Sequence, residues 1–398
     1  MVNTNRELTQ QEAAAASEKI TGIINNVGKV IIGKEEAIRL VILALLSQGH
    51  VLIEDVPGVG KTSLVSAIAR SVDCDFQRIQ FTPDLMPSDV TGFSVYNQKS
   101  GDFEFRPGAV MSNLILADEI NRASAKTQSS LLEAMEEKQL TVDSKTYRLE
   151  EPFMVLATQN PIESYGTYPL PDAQLDRFLV KLSVGYPAFD DEVDILFTKG
   201  VRSPELSSVV TAEEILELRR KAGMVYTDRS LGRYIVQIIT SIRHHSDVLL
   251  GCSPRGSLAL FRASKVYALM KGRNFVIPDD IIYLAPYVLN HRITLTNEAK
   301  LQQKTPGMIV QEVLNRIGID LRGGHDGQGR NREQAGQGQN QLSGRQDRNA
   351  EGSRQNGDRE PVRENRVREP GRQIPSPEGS RPLRSGEGEE KRVLPWRK

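Results

Sequence analysis

The stretch Val51-Leu52-Ile53-Glu54-Asp55-Val56-Pro57-Gly58-Val59-Gly60-Lys61-Thr62 decides the fold of this 398-residue chain. It begins with a short apolar run, which is typical of a buried β-strand, and it continues into a glycine-rich turn. The residues after Thr62 place apolar side chains at helical spacing, namely Leu64, Val65, Ile68 and Val72. A strand, a glycine-rich turn and a helix in this order predict a loop that binds the phosphates of a nucleotide.

The residues of this turn suit a phosphate ligand chemically. Glycines let successive backbone N–H groups point at an anion, and the N-terminus of the next helix adds partial positive charge. Lys61 can reach the β- and γ-phosphates, and the Thr62 hydroxyl can bind Mg²⁺. The candidate ATP-binding residues of the turn are Pro57, Gly58, Val59, Gly60, Lys61, Thr62 and Ser63.

One position departs from the usual phosphate-loop pattern. The pattern G-x-x-x-x-G-K-[ST] has its first glycine where this chain has Asp55. The final Gly60-Lys61-Thr62 is intact, and Pro57-Gly58 preserves the turn. The alternative is a chance glycine-rich turn before a helix, but the flanking strand and helix favour the nucleotide interpretation.

A second apolar run, Asn113-Leu114-Ile115-Leu116-Ala117, ends in two acids, Asp118 and Glu119. Strands of a parallel sheet present their carboxyl ends to the crevice where ligands bind. Asp118 is the candidate that orients the Mg²⁺ shell, and Glu119 is the candidate that polarises the attacking water. Alone, such a run is typical of any strand that meets solvent; a phosphate loop upstream makes the hydrolytic interpretation specific.

The composition narrows the class of protein. The formal net charge is zero, and Cys74 and Cys252 form neither a disulfide framework nor a metal-binding pattern. The N-terminus is polar, and the longest apolar run, Leu40 to Leu46, is too short to span a bilayer. We therefore expect a cytoplasmic protein with no direct membrane insertion and no specific nucleic-acid ligand.

Changes in composition predict four regions. Residues 1–17 form an N-terminal extension, and residues 18–188 alternate strand and helix patterns, which predicts an α/β core around a central parallel sheet. Residues 189–320 are almost entirely helix-period and predict a small all-helical domain. Residues 321–398 contain 17 Lys or Arg, 12 Asp or Glu and few apolar side chains, so we expect a disordered low-complexity tail.

Longer motifs reveal a family. Asp118-Glu119-Ile120-Asn121-Arg122 is followed by LLEAMEEKQLTVD and then by VLATQNPIESYGTYPLPDAQLDRF. With these motifs the chain closely resembles the MoxR family of AAA+ ATPases, from about Val30 to Ile293. The resemblance implies an AAA+ P-loop nucleotide domain followed by a helical lid domain, with ATP as substrate and Mg²⁺ as cofactor.

The resemblance also implies roles for residues outside the two strands. Asn160 resembles the sensor-1 residue that holds the lytic water, although an Asn-Pro turn at a strand end is a common alternative. Arg177 resembles the arginine finger that enters a neighbouring subunit, with an ordinary surface salt bridge as the alternative. Ile32 and Gly33 resemble the segment that walls the adenine, where plain core packing would look the same.

Arg255 resembles the sensor-2 residue of the lid. Ser253 suits a helix N-cap and Pro254 suits the first helical position, which places Arg255 in the first helical turn. A cation there is unfavourable to the helix dipole, which indicates an anionic partner. The family role places Arg255 over ATP in the cleft between the two domains, and a solvated arginine is the alternative.

Two hairpin signals occur within the nucleotide region. Apolar residues alternate around Lys99-Ser100-Gly101 and again around Asp143-Ser144-Lys145. In relatives such hairpins reach toward the ring pore and touch the client protein. The alternative is two short hairpins at the edge of the fold.

The resemblance implies a homo-oligomeric ring, with a hexamer expected, that remodels or matures a client protein in a chaperone-like way. The expected partner carries a von Willebrand factor A domain. One alternative is a nucleotide-controlled assembly scaffold with slow hydrolysis. The other is a DNA-acting AAA+ motor, which the acidic body and the lack of a recognisable DNA-binding module disfavour.

Overall fold

The apolar run from Val51 to Ile53 forms a strand that is buried on both faces. In the computed structural model, Val51, Leu52 and Ile53 are fully buried, as expected for a strand covered on both sides. The structure describes residues 7–56, 58–160, 167–199 and 206–317, without the side chains of residues 198 and 199. Pro57 and the predicted disordered tail, residues 321–398, lie outside these ranges.

The central sheet has five parallel strands in the order β2-β5-β8-β1-β9. With strands numbered in chain order, they are β1 (Val51–Glu54), β2 (Phe76–Gln80), β5 (Leu114–Asp118), β8 (Met154–Gln159) and β9 (Val180–Leu182). The predicted α/β core with a central parallel sheet is confirmed. Since parallel strands end at one edge, the residues that follow β1, β5 and β8 meet there.

Helices cover the sheet. Those of the nucleotide region are α1 (Gln10–Gly28), α2 (Glu35–Leu46), α3 (Lys61–Ser71), α4 (Pro87–Thr91), α5 (Ala125–Glu137) and α6 (Asp172–Leu175). Thr9 and Glu12 form a capping box that starts α1, which then continues through the predicted boundary between residues 17 and 18. Residues 10–17 therefore lie in the same helix as residues 18–28.

The described residues from 189 to 317 are mostly helical. The helices of this part are α7 (Phe189–Lys199), α8 (Ala212–Met224), α9 (Arg229–Arg243), α10 (Pro254–Met270), α11 (Pro278–Leu289), α12 (Asn297–Leu301) and α13 (Pro306–Arg316). The capping box of Thr211 and Glu214 starts α8, and Ser253 caps α10 with Pro254 as its first residue. An antiparallel pair of short strands, β10 (Val248–Leu250) and β11 (Thr294–Leu295), also lies in this part of the chain.

Both predicted hairpins form. The first joins β3 (Gly92–Asn97) to β4 (Asp102–Pro107), and the second joins β6 (Gln139–Val142) to β7 (Lys145–Arg148). Asp143 and Ser144 both have positive φ, as a two-residue type I′ turn requires. The rings of Phe105 and Tyr147 stack with centroids 4.1 Å apart, so the two hairpins contact each other.

His50 joins β1 to its neighbours from a buried position. Its Nε2 donates to the Met135 carbonyl oxygen over 3.1 Å, and its Nδ1 accepts from the Val155 N–H over 3.0 Å. Burial disfavours the charged imidazolium and lowers the pKa of His50 from 6.5 to about 4. The folded protein therefore holds a neutral histidine at a pH where the unfolded chain is protonated.

This histidine predicts a loss of stability in mild acid. Since the unfolded chain binds the extra proton below pH 6.5, stability decreases as pH falls from 6.5 toward 4, by about 2 kcal/mol at pH 5 from His50. Urea unfolding of the wild type and of His50→Gln at pH 7 and pH 5 measures this loss. We expect the variant to lose about 2 kcal/mol less than the wild type, and equal losses would contradict the assignment.

Candidate nucleotide site

The phosphate loop lies between the end of β1 and the start of α3. Gly58 and Gly60 have φ angles of 88° and 87°, a left-handed conformation that glycine adopts without strain. Lys61 begins the helix and is only 9% exposed, with its Nζ donating to the Asp55 carbonyl oxygen over 3.2 Å. The N–H groups of the first turn of α3 are therefore placed as a phosphate ligand requires.

Asp55 explains why the first glycine of the pattern is absent. The residue is 7% exposed, and its carboxylate accepts hydrogen bonds from the Ser183 hydroxyl (2.9 Å) and from the N–H groups of Val184 and Gly185. This position thus joins the loop to the segment that follows β9. The sequence contained no signal for the contact, because the partners lie about 130 residues away.

Asp118 and Glu119 are held at the carboxyl end of β5. Asp118 accepts from the Thr158 hydroxyl over 2.6 Å and from Arg78 Nη2 over 2.7 Å. Glu119 has a left-handed φ of 55°; its N–H donates to Thr158 Oγ1, and its Oε2 accepts from Gln80 Nε2 over 2.7 Å. Both carboxylates therefore have fixed positions at the carboxyl end of the sheet, where the phosphate loop also begins.

The supporting residues of this edge were not predicted. Arg78 and Gln80 are two residues apart on β2, so their side chains lie on the same face of the sheet. Gln80 lies opposite Asp118 in the sheet register. A polar pair at a two-residue spacing was the available signal, but only the strand order shows which acids it faces.

Asn160 lies between the loop and Glu119. It follows the last residue of β8, which is placed between β5 and β1, and it is buried. The Asp55 N–H donates to the Gln159 carbonyl oxygen over 3.1 Å, so the start of the loop is attached to the end of β8. The structure thus brings Lys61, Glu119 and Asn160 to one edge of the sheet.

The predicted adenine segment, with Ile32 and Gly33, lies against the residues that follow β9. Gly33 has a φ of 70°, a conformation that favours glycine, and a Cβ there would lie 1.9 Å from a carboxylate oxygen of Asp191. Lys34 Nζ donates to the Tyr186 carbonyl oxygen over 2.6 Å. Asp55 binds residues 183–185, just before Tyr186. The adenine segment and the phosphate loop therefore both contact the residues that follow β9.

Arg177 lies at the opposite end of the parallel strands, where they begin. The Leu179 N–H donates to the His50 carbonyl oxygen over 2.8 Å, and Val180 pairs with Val51. Arg177 therefore precedes the amino end of β9, whereas Lys61 follows the carboxyl end of the parallel neighbour β1. One chain cannot bring these two side chains together across the sheet.

Arg255 lies beside Arg177. Both guanidinium groups bind the carboxylate of Glu136: Arg177 Nη2 over 3.0 Å, and Arg255 through a second, short contact. The expectation that Arg255 lies over the nucleotide of its own chain is therefore corrected. The physical reason is the anchoring of α10, because the Ser253 hydroxyl donates to Asp176 over 2.7 Å.

Arg292 fixes the segment that carries Arg177, and sequence reasoning missed it. Its buried guanidinium donates to Asp176 Oδ1 over 2.7 Å and to the carbonyl oxygens of Phe178 (2.6 Å) and Leu179 (3.3 Å). These contacts connect the end of α11 to the amino end of β9. The positions of Arg177 and Arg255 thus depend on how the helical part docks.

The donors near the loop fit Mg²⁺ bound to a nucleotide. Magnesium usually takes one or two protein oxygens and completes its shell with phosphate and water, and Thr62 and Asp118 supply such a pair. Within the described ranges, no cluster of three or more His, Cys, Asp or Glu side chains could hold a metal by itself. The helices in the same ranges include none that is long and apolar enough to cross a membrane.

Two family models match parts of the chain. Residues 50–180 match the ATPase family associated with various cellular activities, and residues 240–313 match an AAA lid domain. The two matches correspond to the α/β core and to the helical part that carries Arg255 and Arg292.

Individual relatives cover most of the chain. It is 52% identical over 301 residues to uncharacterized protein YeaC of Bacillus subtilis, covering 75% of this chain and 94% of that protein. It is 40% identical over 315 residues to Chaperone MoxR1 of Mycobacterium tuberculosis, covering 77% and 84%. A crystal structure of a candidate ATPase from Cytophaga hutchinsonii is similar with a TM-score of 0.74 and 39% identity, covering 77% and 97%. The chain belongs to the MoxR family of AAA+ ATPases.

Proposed function

We propose that this protein hydrolyses ATP at a site shared between two copies of the chain and uses the cycle to remodel a client protein. One observation carries the proposal: Lys61 and Glu119 lie at one edge of the sheet, and Arg177 and Arg255 lie at the other. A complete hydrolytic site needs both sets, so a second chain has to supply the arginines.

The carboxyl edge would bind ATP. The N–H groups of Gly58 to Thr62 hold the phosphates, Lys61 contacts the β- and γ-phosphates, and Ile32 with Gly33 walls the adenine. Thr62 and Asp118 would hold Mg²⁺, which neutralises phosphate charge when bound. The fit of the donor set described above supports this assignment.

Hydrolysis needs a water molecule in line with the leaving oxygen. Glu119 Oε accepts a proton from this water as its oxygen forms a bond to the γ-phosphorus, and the bond to the bridging oxygen breaks to release ADP. The Asn160 amide orients the water without adding charge. Both side chains lie at the edge where the γ-phosphate would be placed.

The arginines would come from the neighbouring chain. The four residues of β1 span about 13 Å, so Arg177 and Arg255 cannot reach phosphates bound at the far edge of their own sheet. In a head-to-tail assembly they enter the next site and neutralise the charge that develops on the γ-phosphate. A head-to-tail contact that closes produces a ring, and the family resemblance favours a hexamer in the cytoplasm.

The proposed action on a client protein is based mainly on the family resemblance. A relative is named Chaperone MoxR1, and the exposed aromatic residues of the β3–β4 hairpin, Tyr96 and Phe103, suit contact with a protein. We propose residues 18–188 as the nucleotide core, residues 189–320 as the lid, and a partner with a von Willebrand factor A domain. Closure of the lid on ATP would move the hairpins relative to the client.

A nucleotide-controlled scaffold with slow hydrolysis is the second candidate. The contact of Glu136 with both arginines favours it, since the two cations already share an anionic partner in the single chain. The scaffold predicts assembly on ATP with little turnover, even when a client is present.

Phosphate release at increasing protein concentration tests the proposal. We expect turnover per chain to rise with concentration and to level off when assembly is complete. Turnover per chain that is constant from dilute to concentrated protein would indicate a self-contained site and would sink the shared-site proposal. Assembly without turnover would favour the scaffold.

A further inference from the structure

Helix α7 carries an exposed apolar stripe. Phe189, Leu196 and Phe197 are 82%, 71% and 77% exposed. Leu196 and Phe197 follow Phe189 by seven and eight residues, about two helical turns, so the three side chains lie on one face of the helix. Three large apolar side chains on one exposed face are unusual for a surface helix and indicate a contact with another molecule.

The stripe lies beside the nucleotide site. The first turn of α7 contains Asp191, whose carboxylate packs against Gly33 in the adenine segment. The residues just before α7, from Ser183 to Gly185, bind the carboxylate of Asp55 at the phosphate loop. Any molecule that covers the stripe therefore lies close to the proposed ATP site.

Two exposed leucines lie on the part of the chain that carries Arg255, Leu250 before α10 and Leu258 within it. Leu258 lines the same cleft as Arg177 and Arg255, is one turn further along α10 than Arg255, and is more than half exposed. Leu250 precedes Ser253, whose hydroxyl binds Asp176, and it is also more than half exposed. We call Leu250 and Leu258 the arginine-side patch.

The charges around the two surfaces are opposite. Asp190 and Glu192 are exposed in the first turn of α7, next to Phe189. Arg177, Arg255 and Arg262 line the same cleft as Leu258, together with the acids Glu136 and Asp176, so that the cationic side chains of the cleft outnumber the acidic ones. Complementary charge around two apolar surfaces steers association and fixes its register.

We propose that the stripe of α7 is covered by the arginine-side patch of a second copy of this chain. The two surfaces lie at opposite ends of β9, since Arg177 precedes this strand and α7 follows it. They can therefore meet only between molecules, in a head-to-tail contact. The inference rests on the proposed function and adds to it the apolar surface that brings Arg177 and Arg255 to the neighbouring ATP.

The first test removes the stripe. Leu196→Ser/Phe197→Ser and the control Leu301→Ser/Met308→Ser, which removes two exposed apolar side chains elsewhere, are compared with the wild type by mass photometry with a non-hydrolysable ATP analogue. We expect the stripe variant to need at least about tenfold more protein for half assembly, and the control to stay within about twofold. Thermal unfolding of each variant checks that the fold is kept.

The second test mixes two defects. Leu250→Ser/Leu258→Ser should also assemble poorly, but its mixture with the stripe variant should form dimers, because each supplies the surface that the other lacks. Normal assembly of either variant alone, or no dimers in the mixture, would overturn the α7 proposal while leaving the shared ATP site in place. A wild type that stays monomeric and hydrolyses ATP without need of Arg177 would overturn both.

Discussion

Replacing Glu119 with glutamine is expected to lower phosphate release from ATP by about 10²–10⁴-fold, the usual contribution of a general base. The amide has the same shape and can still accept a hydrogen bond from Gln80, but it cannot take a proton from the attacking water. ATP binding should be unchanged, because Lys61 and the loop N–H groups are untouched. Phosphate release and the affinity for a fluorescent ATP analogue measure the two effects separately.

A control keeps this result specific. Glu298→Gln makes the same chemical change at an exposed position in the first turn of α12, and turnover should stay within about twofold of the wild type. If Glu119→Gln released phosphate at the wild-type rate, the water would be activated elsewhere, and the assignment of Glu119 would be wrong.

Replacing Arg177 with alanine is expected to lower turnover by about 10³-fold or more, since arginine fingers contribute about 10³–10⁵ in rate. ATP affinity of the isolated chain should not change, because Arg177 lies at the far edge of the sheet from its own phosphate loop. Stability should also change little, because the contact with Glu136 is partly exposed, and such ion pairs contribute about 1 kcal/mol or less.

Two further variants sharpen the test of Arg177. Arg177→Lys keeps the charge but loses the planar fork that binds phosphate oxygens in pairs, so it should recover only part of the rate. Arg316→Ala removes an exposed arginine of α13 and should leave turnover within about twofold of the wild type. Full activity of Arg177→Ala would leave Arg177 as an ordinary salt-bridge residue.

The sequence was informative where chemistry is local. The phosphate loop and the acids after β5 follow from strand, turn and helix patterns that extend over about a dozen residues. Arg255 shows the limit of local reasoning. Its position in a first helical turn correctly indicated an anionic partner, yet the partner is Glu136, 119 residues earlier in the chain.

Other features required the folded chain. Asp55, Arg78 and Arg292 act through partners that are close only because β1, β2 and β9 occupy particular places in the sheet. The separation of Arg177 from Lys61 is a property of strand direction, since the two residues lie at opposite ends of paired parallel strands.

The most direct test of the shared site is a mixture of two inactive variants. Lys61→Ala cannot bind ATP but still carries Arg177, and Arg177→Ala binds ATP but lacks the finger. If one chain completes the site of the next, an equal mixture should recover activity at about one quarter of its interfaces. At these interfaces the Arg177→Ala chain supplies the intact phosphate loop and the Lys61→Ala chain supplies Arg177. A mixture that releases phosphate no faster than the two variants measured separately would contradict an ATP site shared between two chains.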